Sequence, residues 1–168
     1  LHLDGLGDTA DGLYGGNTKD RALEIMKDSR TGAMGVVAIS CCLLVKGAAL
    51  SDIDSSRFWM LILIPAYARA GTLFGFRMLP YGRQNKGTAL AFFEKPLVLS
   101  DFRWLFLLIG LTVFTGWQMV PLIIGFAGLT AVTLWFYRRK LGCITGDMLG
   151  AMIEVTETGL FLIAAALV

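Results

Sequence analysis

The sequence has little of what marks a soluble domain or a transition-metal enzyme. Charged residues fill 17% of its 168 positions, where a soluble domain carries about a quarter. A single histidine, His2, excludes a zinc or iron centre built on histidines. The three cysteines follow neither a disulfide nor a zinc pattern: Cys41 and Cys42 are adjacent in an apolar run, and Cys143 is alone. No cleavable signal pattern, internal repeat or low-complexity tract is visible. A net charge of +2 by itself says nothing about nucleic acid, because the location of the charges matters more; no nucleic acid is expected as a partner.

What the chain has is apolar. Hydrophobic residues make up 55% of it, and its mean hydropathy is +0.65. Apolar runs cover 32–50, 58–79, 104–137 and 149–168, each long enough for a membrane helix. The run 104–137 holds 34 residues and no charge; as one helix it would be about 51 Å long, against a hydrocarbon core of roughly 30 Å. It therefore reads as two helices folded back near Gly116-Trp117-Gln118, with Pro121 opening the second. The expectation is an all-α polytopic integral membrane protein. It would form one membrane domain over 1–168 with about five transmembrane helices. The chain begins without Met, directly on a motif, so it is expected to be a fragment with an upstream part missing.

Five spans place 1–31, 77–103 and 138–148 on one side. Those segments hold 12 of the 15 basic residues, which makes that side cytoplasmic. Lys46, near one end of its span, is expected to snorkel to the surface.

The opening stretch His2-Leu3-Asp4-Gly5-Leu6-Gly7-Asp8-Thr9-Ala10-Asp11-Gly12 concentrates the chemistry. Asp4, Asp8 and Asp11 stand at i, i+4 and i+7, one face of a helix. Three carboxylates that close repel one another unless a cation neutralises them, and an all-oxygen donor set selects a hard ion such as Mg²⁺, Mn²⁺ or Ca²⁺. The bland alternative is a solvated acidic face. Near the other end, Asp147, Glu154 and Glu157 also share a helix face, descending into an apolar span where buried acids are functional by default. Here the bland alternative is a structural partner for Arg69, in mid-span on another helix. Lys27, Ser29 and Arg30 flank Asp28 just before the first span, a combination suited to a phosphate group. Arg83 lies in a second basic, glycine-bracketed segment, 81–87, explained equally by substrate and by anionic lipid.

Three stretches together resemble one family. They are His2-Leu3-Asp4-Gly5-x-x-Asp8-Thr9-x-Asp11-Gly12, Met26-Lys27-Asp28-Ser29-Arg30-x-Gly32-x-x-Gly35 and Thr145-Gly146-Asp147-x-Leu149-Gly150-Ala151-x-x-Glu154-x-x-Glu157. They are similar to cobalamin synthase, also called adenosylcobinamide-GDP ribazoletransferase, and Pro65-x-Tyr67-Ala68-Arg69 fits as well. The resemblance implies an Mg²⁺-dependent enzyme of the prokaryotic cytoplasmic (inner) membrane, its active face cytoplasmic. Such an enzyme joins adenosylcobinamide-GDP to α-ribazole or its 5′-phosphate and releases GMP. On that reading Asp4, Asp8 and Asp11 hold the metal, and Asp8 and Asp11 thereby count as catalytic. Lys27 and Arg30 stabilise the leaving phosphate. Ser29, Arg69, Arg83, Asp147 and Glu157 contact substrate, and Asp28 or Glu154 accepts the hydroxyl proton. The lipid bilayer is the other partner, and a homo-oligomer is compatible with the pattern. Two alternatives remain. Asp8-x-x-Asp11-Gly12 also opens the motif of CDP-alcohol phosphotransferases, though its later aspartates are not found, and a secondary transporter would equally place acids inside a membrane.

Overall fold

A computed structural model of the chain describes residues 2–28, 30–52, 58–83, 89–93, 97–116 and 119–167. Its helices are α1 (His2–Gly15), α2 (Lys19–Ile25), α3 (Ala33–Ser51), α4 (Phe58–Met78), α5 (Leu90–Phe93), α6 (Arg103–Thr115), α7 (Val120–Lys140) and α8 (Gly146–Ala166). A 3-10 turn, Leu99–Phe102, leads into α6. Among the described residues the only β feature is an isolated bridge between Tyr81 and Ile144.

By length and composition α3, α4, α7 and α8 can each cross a membrane. The chain is thus an all-α polytopic membrane protein, with one correction to the expected five spans. The charge-free run does divide into two helices, but α6 has 13 residues. At 1.5 Å per residue it is about 20 Å long, short of the roughly 30 Å of hydrocarbon. Phe102, just before α6, packs edge-on against Phe74 of α4 at 5.3 Å, and Thr112 of α6 shares a 2.8 Å hydrogen bond with Tyr67 of α4. These contacts set α6 antiparallel to α4. Pro121 stands in the first turn of α7, where a missing amide hydrogen costs nothing. Trp117 and Gln118 of the expected turn lie outside the described residues, as do Ser29, Arg57, Lys86 and Lys95.

Helix α8 is the axis. In its membrane-crossing stretch 61% is buried, against 11% for α3. Thr145 caps it, its hydroxyl accepting from the Met148 amide at 3.3 Å. Helices α1, α3, α4 and α7 all pack on it. The α1 contact needs glycine: a Cβ at Gly5 would come within 2.6 Å of the Asp147 carbonyl oxygen. Among the described residues, the two larger of three buried apolar clusters make up most of the interior. Ala22, Met26, Leu79, Tyr137, Ile144, Met148 and Met152 make one. Met60, Leu63, Ile64, Tyr67, Leu122, Phe126 and Leu160 make the other, farther along the bundle.

The linkers meet at one end. The Ile144 amide donates to the Pro80 carbonyl at 3.0 Å, and the Gly82 amide to the Ile144 carbonyl at 2.9 Å. The segment after α4 is thereby stitched to the segment before α8, beside the place where α1 crosses α8.

Candidate active site

Helix α1 lies across this end and carries Asp4, Asp8 and Asp11 on successive turns. Asp8 is half-buried. Burial first, and then the negative charges of Asp4, Asp147 and Asp11, push its carboxyl up to about 6; the Arg83 guanidinium opposes them. Asp147, in the first turn of α8, accepts a hydrogen bond from Arg83 Nη2, which also donates to the Met26 carbonyl at 3.1 Å. One cation therefore faces several carboxylates. Arg83 Nε is buried with no acceptor among the described residues, so that edge of the guanidinium has capacity to spare.

Asp11 does a separate job. Its Oδ2 accepts from the Gly32 amide at 2.6 Å and its Oδ1 from the Gly35 amide at 2.8 Å. Gly32, at the N-cap position of α3, has no side chain, so the cap comes from another helix. A side chain at Gly35 would collide with the same carboxylate.

A polar groove of about 480 Å³ opens next to Asp11, lined by Arg21, Glu24, Asp28, Arg30 and Thr31 among others. In it Arg30 grips Asp28 with Nε at 3.0 Å from Oδ1 and Nη2 at 2.6 Å from Oδ2. Those bonds hold the Asp28 carboxyl down at about 2. Lys27 is exposed beside them. Ser29, expected to contact phosphate, lies outside the described residues.

Glu154 and Glu157 sit elsewhere, two to three turns farther along α8. Lys46 Nζ of α3 reaches Glu154 Oε2 at 2.7 Å and Glu157 Oε1 at 3.0 Å, with all three side chains at most 15% exposed. Arg69 Nη1 is 3.7 Å from Glu157 Oε2 and donates to the Pro65 carbonyl at 2.9 Å. The expectation that Lys46 snorkels is thus corrected: it turns inward to two carboxylates. Arg69 is a partner of Glu157, as the bland reading had it, but the more distant one. The Lys46 pairing was the functional feature least visible beforehand. Its one sequence signal was a lone cation in a span facing a chain that also carries lone anions.

The site thus combines carboxylates on α1 and α8, a partly unsatisfied arginine and a groove of mixed charge at one end of a helical membrane bundle. A family model described as cobalamin-5-phosphate synthase matches residues 1–165. The chain belongs to the cobalamin-5-phosphate synthase family. Relatives named adenosylcobinamide-GDP ribazoletransferase include one from Chlorobaculum tepidum, 37% identical over 98% of this chain and 67% of its own length. Another, from Syntrophobacter fumaroxidans, is 40% identical over 99% and 67%. A third, from Clostridium acetobutylicum, is 34% identical over 94% and 64%. The chain thus spans about two thirds of the length of these family members. No solved structure matches it.

Proposed function

We propose that this chain joins adenosylcobinamide-GDP to α-ribazole, or its 5′-phosphate, with release of GMP. Family membership supports the reaction, and the crowding of negative charge around Asp8 is the structural observation that carries the site assignment.

The donor set fits a hard divalent cation. Every candidate ligand is a carboxylate; burial first, and then the charges of Asp4, Asp147 and Asp11, raise the Asp8 pKa against the opposing pull of Arg83. Among the described residues no three His, Cys, Asp or Glu side chains stand close enough to hold an ion as placed. The carboxylates therefore meet through their fields rather than in contact, and Asp4, Asp8 and Asp147 are the ones that would close on Mg²⁺. An ion held by these residues would supply charge neutralisation for a diphosphate. Asp11, with each oxygen already on a backbone amide, holds the start of α3 against α1.

In the transfer, a ribose hydroxyl oxygen of α-ribazole bonds to the phosphorus next to the cobinamide. The bond from that phosphorus to the GMP oxygen breaks, and GMP leaves. Such transfers depend on positioning and charge neutralisation. Arg83 points its unpaired Nε at the diphosphate from the carboxylate side. Lys27 and Arg30 take the leaving GMP phosphate. When Arg30 turns to that phosphate, Asp28 loses the partner that keeps its pKa low and becomes able to accept the hydroxyl proton. Glu154, bound to Lys46, has no such release.

The active face is cytoplasmic in this reading. Lys19, Arg21, Lys27, Arg30, Arg77, Arg138, Arg139 and Lys140 flank the site end, whereas Asp52 closes the far end of α3. The test is GMP release from the purified membrane protein, which should require Mg²⁺ and both substrates together. Release without α-ribazole would identify a hydrolase instead.

A further inference from the structure

Helices α4 and α7 both lean on α8 and leave between them a groove of about 390 Å³. Phe74, Met78, Phe126, Leu134 and Trp135 make its walls, and Ala127 and Ala131, one turn apart on α7, make its floor low. The volume is within the range of about 300–1,000 Å³ typical of small-molecule sites. From Ala127 to Arg138 the groove runs about 17 Å along α7, roughly half the hydrocarbon thickness, the depth of one leaflet.

Its chemistry is divided by position. The long part is apolar, and Arg138 lines the mouth. Arg139 and Lys140 follow at once, and Arg77 closes the last turn of α4 beside Met78. Trp135 is 57% exposed with the Arg139 guanidinium 4.9 Å from its ring centroid. A tryptophan with an arginine folded over it marks the membrane–water interface, so the mouth stands at headgroup level and the apolar part faces the acyl region. An apolar trough one leaflet deep, with a cluster of cations at its polar end, is complementary to one class of molecule.

We infer that the α4–α7 groove binds an anionic phospholipid, one acyl chain lying between Phe74 and Trp135 and the headgroup phosphate held by Arg138. Neither α4 nor α7 contributes a residue to the carboxylate cluster, so the inference is independent of the transferase reading. Single sites of this kind act by stabilising the state they bind.

The test is native mass spectrometry and thermal unfolding of the detergent-purified protein. Phosphatidylglycerol is the probe, and phosphatidylcholine with the same acyl chains is its control. The wild-type protein should retain about one phosphatidylglycerol and melt later with it than with phosphatidylcholine. Arg138→Gln should weaken retention about fivefold, the factor expected for one basic residue near an anionic headgroup. Ala131→Trp should fill the trough and abolish retention. Arg103→Gln, a cation on α6 outside the groove, should leave retention unchanged. Equal retention of the two lipids, or equal loss with Arg138→Gln and Arg103→Gln, would overturn the inference. If Ala131→Trp fails to fold, the Arg138 and Arg103 pair decides it alone.

Discussion

The molecule holds two groups of acids, and they are balanced differently. At the linker end, exposed Asp4, half-buried Asp8 and Asp147 lie in one another's fields, Arg83 pairs with Asp147, and burial together with the neighbouring negative charges pushes the Asp8 carboxyl up to about 6. In mid-bundle, Glu154 and Glu157 face Lys46 and Arg69, anion for cation. A group that lacks its own counter-charge is ready for a charged ligand; a group that contains it is finished without one. Burial alone does not separate the two, since Glu154 is more deeply buried than Asp8. In the proposed reading, that difference in charge balance divides binding from scaffolding along the same helix, α8.

The largest expected effect comes from removing a charge where charge is already in surplus. Asp8→Asn should lower GMP release at least ~100-fold at saturating Mg²⁺. Its melting temperature should hold or rise, because a repelled, half-buried anion is gone. A variant that loses stability in step with activity would erase the distinction between the two groups.

The mid-bundle group should respond in the opposite way. Lys46→Met strands two carboxylates in an apolar setting, a loss of about 3–5 kcal/mol. It should melt far earlier while its turnover per folded molecule stays within about twofold. Thermal unfolding and GMP release on the same preparation separate the outcomes.

Glu154→Gln is a milder version of the same change. Lys46 keeps Glu157 at 3.0 Å, so about 1–3 kcal/mol of stability should be lost. The rate of GMP release should barely change. A rate that falls tenfold with the melting temperature intact would return Glu154 to the proton-accepting role that its sequence context suggested.

Asp11→Asn is the smallest and the most discriminating change. As a cap, it should cost about 1 kcal/mol in stability and leave the Mg²⁺ concentration for half-maximal rate unmoved. As a metal ligand, it would shift that concentration strongly. Measuring both quantities on one variant tells a cap from a ligand.

These contrasts also show how much was legible in the sequence. The long helices were, because apolar runs are local signals. The shared face of the α1 aspartates followed from helical periodicity, and the family followed from three spaced motifs. Lys46 was misjudged because snorkelling and pairing give the same sequence. Only the packing of α3 on α8 chooses between them. The shortness of α6 was legible too, because a turn placed near Gly116 leaves too few residues before it for a full span, and Gly116 is the C-cap of the 13-residue helix. The capping of α3 by Asp11 was invisible because a cap is normally sought in the residue next to the helix, here Gly32, not 21 positions away.

The Lys46 bridge has a consequence for biosynthesis. Chains are made from the N-terminus, so α3 is inserted while α8 does not yet exist. During that interval Lys46 has neither Glu154 nor Glu157 to meet it. A lysine inside a helix costs roughly 2.5–3.5 kcal/mol on insertion scales, and its long stem lets it reach towards the surface meanwhile. A helix made later, α8, therefore carries the groups that draw Lys46 inward and fasten α3, the least buried of the long helices. A nascent chain halted before α8 has α3 loosely held and the Lys46 charge unmatched, a state open to membrane proteases, and synthesis of the 21-residue α8 ends that exposure.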